Sequence, residues 1–550
     1  MQIPDTTPGP HAAEKQDGRT IIPRGRLWLV LCLGILILAQ FWPVLAAPVQ
    51  GDDRYWYAES AGITRGSYGH ILSRTAKDVP YFLDRGRFAP VAFGARRMIA
   101  LATVQLAVAS SVPIVAIQAL FKLLFGAAAA LAVYAFISTA RFRGSSRTIS
   151  NLSPSSIRWV MIGFVGLLVS GAQAHFPFRN GWLAYFPLTY GAVVAIFGSL
   201  AFAQWCVKAL DNPTRSLRAS AYCGMILLAV LLNSTYELYY PAAVLAPIAI
   251  LRQPTRLDIT HERRAKLSLT ATFLIPFTVV FSILRLLIRR TCAQSECYEG
   301  VIPELGPQVL SVAWRNLTSA IPGFGEAQLR SELAQVGIPW PDAFLIDFAW
   351  IGCLVGISIA LAWRHQWQAV GTAALDAEEA GALWQLAGIA AVAGIGPAVV
   401  MSLSKASHQA ISDFGLPYRN VVVTWAALSL CTMLAIRAIS VGRGHRWKTI
   451  VSIILAVAIG FLAAYTFPRN LAAIRANRML PAVQSIEGIH WELVLGDTSE
   501  EADRRRCDLY ADAEERIFTS WIQTRMKTGV QSSFEYFHKA PFCSRWDATS

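Results

Sequence analysis

Long apolar runs separated by short polar stretches make up most of this chain, and the runs have the length of membrane helices. They fall at 27–47, 121–140, 157–174, 186–207, 219–232, 239–250, 267–288, 343–363, 383–403, 421–438 and 450–467. Most come close to the roughly 20 residues that a helix needs to cross about 30 Å of hydrocarbon. The pattern predicts an all-α polytopic membrane protein with about eleven transmembrane helices. The first run is longer than the apolar part of a cleaved signal sequence, and a polar stretch, 1–26, precedes it. That stretch is expected to be a disordered cytoplasmic tail.

Basic residues give the set an orientation. Arg24 and Arg26 precede the first run; Arg141, Arg143 and Arg147 follow the second; Lys208, Arg215 and Arg218 follow the fourth. Arg252, Arg256, Arg263, Arg264 and Lys266 follow the sixth, and Arg437, Arg443, Arg446 and Lys448 the tenth. With eleven spans and the N-terminus inside, all of these fall on the cytoplasmic side, and the C-terminus lies outside. The apolar segment 98–117 would invert that order if it crossed. The stretch 87–117 is therefore expected to be an interfacial or re-entrant helix, with Arg96 and Arg97 at the headgroup boundary.

Cysteines divide the same way. Of nine, Cys32, Cys206, Cys223, Cys353 and Cys431 lie in apolar runs, where they act as small hydrophobes. Cys292, Cys297, Cys507 and Cys543 all fall in segments expected outside, where disulfides persist. The expected pairs are Cys292–Cys297 and Cys507–Cys543. Their spacings fit no zinc template, and no histidine accompanies them.

Three external segments have substance: 48–112, 289–342 and the tail, 468–550. The tail alternates in period two over 489–495, which suggests a strand, then passes a charged segment into an amphipathic helix near 511–527. A small α+β domain is expected there, closed by one disulfide.

Composition agrees with the apolar pattern: 54% of residues are hydrophobic and 15% charged. The net charge of +14 is mostly topogenic, so no nucleic-acid partner is needed to explain it. The chain has no repeat of 20–50 residues, Walker loop, dinucleotide fingerprint or His-Glu-x-x-His, so ATP-driven transport and soluble-cofactor chemistry have no support.

The candidate chemistry sits after the first run, in Gln50-Gly51-Asp52-Asp53-Arg54-Tyr55-Trp56. Paired acids there can do acid–base work, or they can simply cap a helix end at the water interface. Further on comes Asp84-Arg85-Gly86-Arg87-Phe88-Ala89-Pro90. With these two elements the chain resembles the GT-C class of polytopic glycosyltransferases. It looks most like the O-antigen glucosyltransferases of serotype-converting phages and their bacterial relatives. The likeness rests on motifs over the first 140 residues and on general layout beyond them. A longer first loop and a large tail depart from the pattern.

The resemblance implies transfer of a sugar from a polyprenyl-phosphate donor to an envelope glycan or lipid acceptor, outside a bacterial inner membrane. A hydroxyl nucleophile then needs a carboxylate to take its proton. The second acid supports an oxocarbenium-like transition state or binds a metal. Asp52, first after the span, is the expected base and Asp53 its support; a divalent cation between them stays open. The lipid phosphate needs cations, and Arg87, Arg179, Arg289, Arg290 and Arg419 are all expected at the outer boundary. Headgroup snorkelling is the alternative for each. Arg419 follows the polar segment Lys405-Ala406-Ser407-His408, and late-loop basic residues bind lipid phosphate in related enzymes, which adds Lys405 and His408 to the expected contacts.

A further candidate lies between the fifth and sixth runs, Asn233-Ser234-Thr235-Tyr236-Glu237-Leu238-Tyr239-Tyr240-Pro241. Only 33 residues separate Arg218 from Arg252. At 1.5 Å per residue two helices sharing them reach about 25 Å each. The turn should therefore sit below the outer surface with Glu237 half-buried. Glu237, Tyr236 and Tyr240 become sugar-contact candidates, against ordinary capping in a tyrosine belt. A secondary transporter or flippase, a polysaccharide polymerase or ligase, and a non-enzymatic assembly factor are the competing readings. Transport predicts repeat symmetry and charges near the bilayer centre, whereas the charges here lie at one face.

Overall fold

A computed structural model describes residues 34, 41–47, 65–143, 149–174, 182, 186–212, 214–294, 297–335, 337–340, 348–367, 376–414, 419–479, 498–517 and 531–543. Within them the protein is an all-α bundle carrying one two-stranded ribbon. In chain order the helices are α1 (Tyr68–Leu83), α2 (Pro90–Ser110), α3 (Ile114–Thr139), α4 (Pro154–Ser170), α5 (Phe186–Leu210), α6 (Arg215–Asn233), α7 (Pro241–Arg252) and α8 (Ile259–Cys292). There follow α9 (Val309–Thr318), α10 (Glu326–Gln335), α11 (Ala349–Trp367), α12 (Asp376–Ser402), α13 (Lys405–Phe414), α14 (Val421–Ser440), α15 (His445–Met479) and α16 (Glu500–Ile517). Eight described helices are long and apolar enough to cross a membrane, namely α2, α3, α5, α6, α8, α12, α14 and α15; α4 and α11 are shorter and apolar.

Two ends of the bundle can be told apart by their chemistry. At the basic end, the ribbon β1 (Arg141–Arg143) pairs antiparallel with β2 (Ile149–Asn151), Phe142 opposite Ser150. Arg141 pairs with Asp211 at 2.6 Å, while Glu262 holds both Arg143 at 2.8 Å and Lys266 at 2.6 Å. Glu379 accepts from Ser153, and Arg437 donates to Ser156. At the opposite, disulfide end lie both Cys292–Cys297 and Cys507–Cys543, paired as the spacing predicted.

Contacts fix the direction of each long helix. α3 begins next to α2 and finishes at Thr139, whose carbonyl accepts from Gln253 at the basic end. α4 returns to the disulfide end, where Asn470 bonds Ala172 and Ala174. α5 to α8, α11, α12, α14 and α15 continue the alternation. Small residues allow the closest pair: a Cβ on Gly352 of α11 would stand 2.5 Å from the Gly460 carbonyl of α15. Such contact is how helices bind each other where burial gives no hydrophobic gain. Trp159 and Trp363 stack at 5.1 Å near the basic end, where Trp159 Nε1 donates to Ser452.

α2 behaves as a helix lying across one end. Its first turn is tied to the α6–α7 turn, Val91 N to Ser234 O at 3.1 Å, and its last turn leads directly into the start of α3. Both of its ends therefore sit at the disulfide end, despite an apolar length that suffices for a crossing. The helix runs Pro90–Ser110, and left-handed Ser111 (φ 54°) with Pro113 breaks it, so Ile114–Ile117 belong to α3. Arg97 corrects one expectation. It does not reach a headgroup boundary but is buried, donating to Asp78 at 2.7 Å and Thr75 at 3.3 Å on α1.

The tail also differs in detail. α15 runs through Pro468 to Met479, with Asn470 buried against α4, so the helix does not stop where the apolar run does. The charged segment expected to lead into a helix is itself helix. α16 starts at Glu500, with Ser499 Oγ accepting from Ala502 N and Glu500, Glu501 and Asp503 in the first turn. An oxygen cap and early acids suit the positive helix start. The strand expected at 489–495 lies outside the described residues. The stapled unit docks near the start of α1 and on α2: Tyr536 lies against Gly66 and Phe537 joins the α2 cluster beside Tyr236.

Candidate functional site

Asp52, Asp53 and Arg179 lie outside the described residues. The other expected site residues can be placed. All of them are at the disulfide end: Arg87 on the α1–α2 turn, Lys405 and His408 at the start of α13, Arg419 just before α14, Arg289 and Arg290 in the last turn of α8, and Tyr236, Glu237 and Tyr240 on the α6–α7 turn.

The α1–α2 turn closes by backbone bonds from Gly86 N to Leu83 O and from Arg87 N to Phe82 O, with Gly86 at φ +77°. That left-handed position is one a side chain would strain. It aims Arg87 at the segment after α8, where its guanidinium lies 3.7 Å from the centre of the Tyr298 ring. Tyr298 is fixed by three further contacts. Its neighbour Cys297 is joined to Cys292 at the end of α8, its backbone N–H donates to Arg85 O at 3.0 Å, and its hydroxyl accepts from Arg419 Nη2 at 2.8 Å. Arg87 and Arg419, far apart in sequence, thus meet on opposite parts of one tyrosine.

The next residue extends the site. Glu299 Oε1 accepts from Gln409 at 2.8 Å and lies 3.3 Å from the Lys405 ammonium. The Gln409 amide, with the Lys405 charge behind it, holds the Glu299 carboxyl below its usual range. The segment is stitched to the α12–α13 junction by Lys405 N to Ile302 O and Glu304 N to Leu403 O, both 3.0 Å. His408 turns away from the cations: Nε2 meets Ser402 O at 2.9 Å, closing the end of α12, and Nδ1 is buried with no hydrogen bond.

Glu237 opens the short helical turn Glu237–Tyr239 and is half-buried, 4.0 Å from Arg285 on α8. Tyr240 stands edge-on to Phe277 and Phe281, and Tyr236 edge-on to Phe93 of α2 at 5.9 Å. The turn neighbours the first site through α2, whose start it anchors. Arg289 and Arg290 are exposed in the last turn of α8 and join neither group.

The arrangement is suited to an anion. A guanidinium stacked on a ring keeps its N–H groups at the edge of its plane, where they can meet phosphate oxygens. A second guanidinium shares the ring's hydroxyl, and a half-exposed lysine is within reach of the same segment. Tyr298, Glu299 and Gln409 escaped the sequence reading, although Tyr298 follows a cysteine singled out for a disulfide. Among the described residues no three His, Cys, Asp or Glu side chains gather as metal ligands, and the acid pair lies outside them. Comparison with family models, with curated proteins and with solved structures returns no match.

Proposed function

We propose that this chain is a membrane glycosyltransferase that takes a sugar from a polyprenyl-phosphate donor. It passes the sugar to an envelope glycan or lipid acceptor at the disulfide end, which faces the outside of a bacterial inner membrane. The observation that carries the reading is the convergence of Arg87 and Arg419 on Tyr298, beside Lys405. A lipid phosphate is a leaving group that needs fixed cations in a water-poor site, where charge already in place stabilises the negative charge that develops as the bond breaks.

The same reading orders the rest of the chain. The helices α3 to α8, α11, α12, α14 and α15, with the run at 27–47, make eleven crossings, while α2 lies across the outer surface. Disulfides outside and basic clusters inside follow from that topology. Asp52, directly after the first crossing, takes the proton of the acceptor hydroxyl, and Asp53 supports it or shares a divalent cation. Glu237, Tyr236 and Tyr240 contact a sugar next to α2.

The test uses membranes containing the protein, radiolabelled polyprenyl-phosphate hexose and native envelope glycan. Asp52→Asn and Asp53→Asn are compared with wild type at matched expression. General-base catalysis contributes about 10²–10⁴-fold, so the base variant should lose that much transfer. Full transfer in both variants would sink the assignment of the acid pair. A wild type that accumulates labelled glycan across the bilayer without forming a glycosidic bond would favour a flippase.

A further inference from the structure

Helix α9 carries its polarity inside out. Its inward face holds Val312 and fully buried Asn316, while Leu310 is 80% and Trp314 63% exposed. Asn316 is committed to the bundle: its side-chain amide donates to Ala398 O at 3.4 Å on α12, and its backbone carbonyl accepts from Asn420 Nδ2 at 2.7 Å. A helix facing water would turn Leu310 and Trp314, one helical turn apart, towards the bundle. Here they point away from it, and Ser311 and Arg315 form the neighbouring stripe. α9 packs on α12 through Asn316 and Ala398, and Ile395 and Val399 of α12, with Leu403 just after it, are also exposed and apolar. So are Leu305 and Phe324, on either side of α9 in the chain.

We infer that α9 lies in the bilayer interface at the disulfide end, with Leu310 and Trp314 inserted among lipid acyl chains and Arg315 at headgroup level. The occupant of this surface is lipid because α9 packs on a membrane-length helix that also exposes apolar side chains, and tryptophan with arginine is the composition that the interface favours. Through Asn316 and Asn420 the inserted helix braces the residue next to Arg419. The depth of α9 is independent of the transferase reading. Its consequence rests on that reading: Arg419 is held at phosphate depth, and the lipid-borne donor arrives sideways from the leaflet.

The test is spin-label depth measurement in vesicles of phosphatidylethanolamine and phosphatidylglycerol. The five cysteines of the apolar runs, Cys32, Cys206, Cys223, Cys353 and Cys431, are replaced by serine, and single cysteines are introduced by Leu310→Cys, Ser311→Cys, Trp314→Cys and Arg315→Cys. Labels at 310 and 314 should collide several-fold more with oxygen, relative to a water-soluble nickel chelate, than labels at 311 and 315. Strong nickel collision at all four positions would place α9 in water and overturn the inference. Shielding of all four from both reagents would mean that protein covers the face, and would overturn it equally. An independent check is fluorescence quenching by brominated lipid in the unlabelled chain, which Trp314→Phe should reduce.

Discussion

Two charged sites, one at each end of the bundle, hold their cations differently. At the basic end, arginine and lysine are matched to acids inside the protein: Lys266 and Glu262 are both less than a tenth exposed, and Arg141 pairs with Asp211 at 2.6 Å. At the disulfide end, Arg87 and Arg419 rest on an aromatic ring and its hydroxyl, and Lys405 shares Glu299 with an amide in a pair nearly half exposed. Charges matched to one another build a fold.

The largest expected contrast is in stability. Removing one partner of a buried ion pair leaves the other uncompensated and costs about 3–5 kcal/mol. Glu262→Ala, which strands Arg143 and Lys266, should lower unfolding stability in detergent by about 3 kcal/mol. Glu299→Ala, in an exposed pair screened by solvent, should cost much less than Glu262→Ala. Thermal melts of both variants in one detergent would measure the difference, and equal losses would erase the distinction between the ends.

Function should show the reverse ranking. Arg419→Ala removes one charged donor to the proposed phosphate, worth about 1.5–3 kcal/mol, or roughly 10–100-fold in KM for the donor lipid. Tyr298→Phe keeps the surface under Arg87 but frees Arg419 from its hydroxyl, so it should raise the same KM less than Arg419→Ala does. Neither should move the melting temperature as Glu262→Ala does. If Tyr298→Phe lowered the melting temperature strongly and left KM alone, Tyr298 would be a packing residue.

The basic end was the more legible of the two in sequence. Its arginines follow apolar runs, and the rule that sorts them depends only on order along the chain. The long apolar helices and both cysteine pairs were legible for the same reason, since each involves one run or one short spacing. Tyr298 was not, because its role depends on Arg87 and Arg419 meeting from loops more than 300 residues apart. Arg97 was placed at a headgroup boundary for a related reason: its buried partner, Asp78 on α1, is not evident from the apolar segment alone. The start of α16 was local information passed over, since Ser499 followed by three acids is a helix start.

The disulfides sharpen the comparison within one end. By the chain-entropy relation, a staple closing 36 residues, as Cys507–Cys543 does, stabilises by about 4 kcal/mol, and one closing five, as Cys292–Cys297 does, by about 2 kcal/mol. The longer staple should therefore dominate the melt of the tail. The shorter one should dominate activity, because it sets Tyr298. Cys507→Ser with Cys543→Ser should loosen the tail from Gly66 and α2, seen as protease sensitivity. Cys292→Ser with Cys297→Ser should raise donor KM with a smaller change in the melt.

The smallest effect concerns pH. The folded Glu299 carboxyl sits below its unfolded value because Gln409 and then Lys405 favour its charged form. A group depressed in this way adds its stabilisation above its unfolded pKa and loses it as pH falls through the folded one. The contact between the post-α8 segment and α13 should thus be constant at neutral pH and loosen only in the acid range below the usual glutamate value. Hydrogen exchange at the Lys405 amide, which donates to Ile302 O, reads that contact directly. Protection should fall on acidification in wild type and be low at every pH in Glu299→Gln if the lysine pairing is what matters. If Glu299→Gln were as protected as wild type at neutral pH, the amide from Gln409 would suffice. Lys405 would then be spare charge for the proposed phosphate.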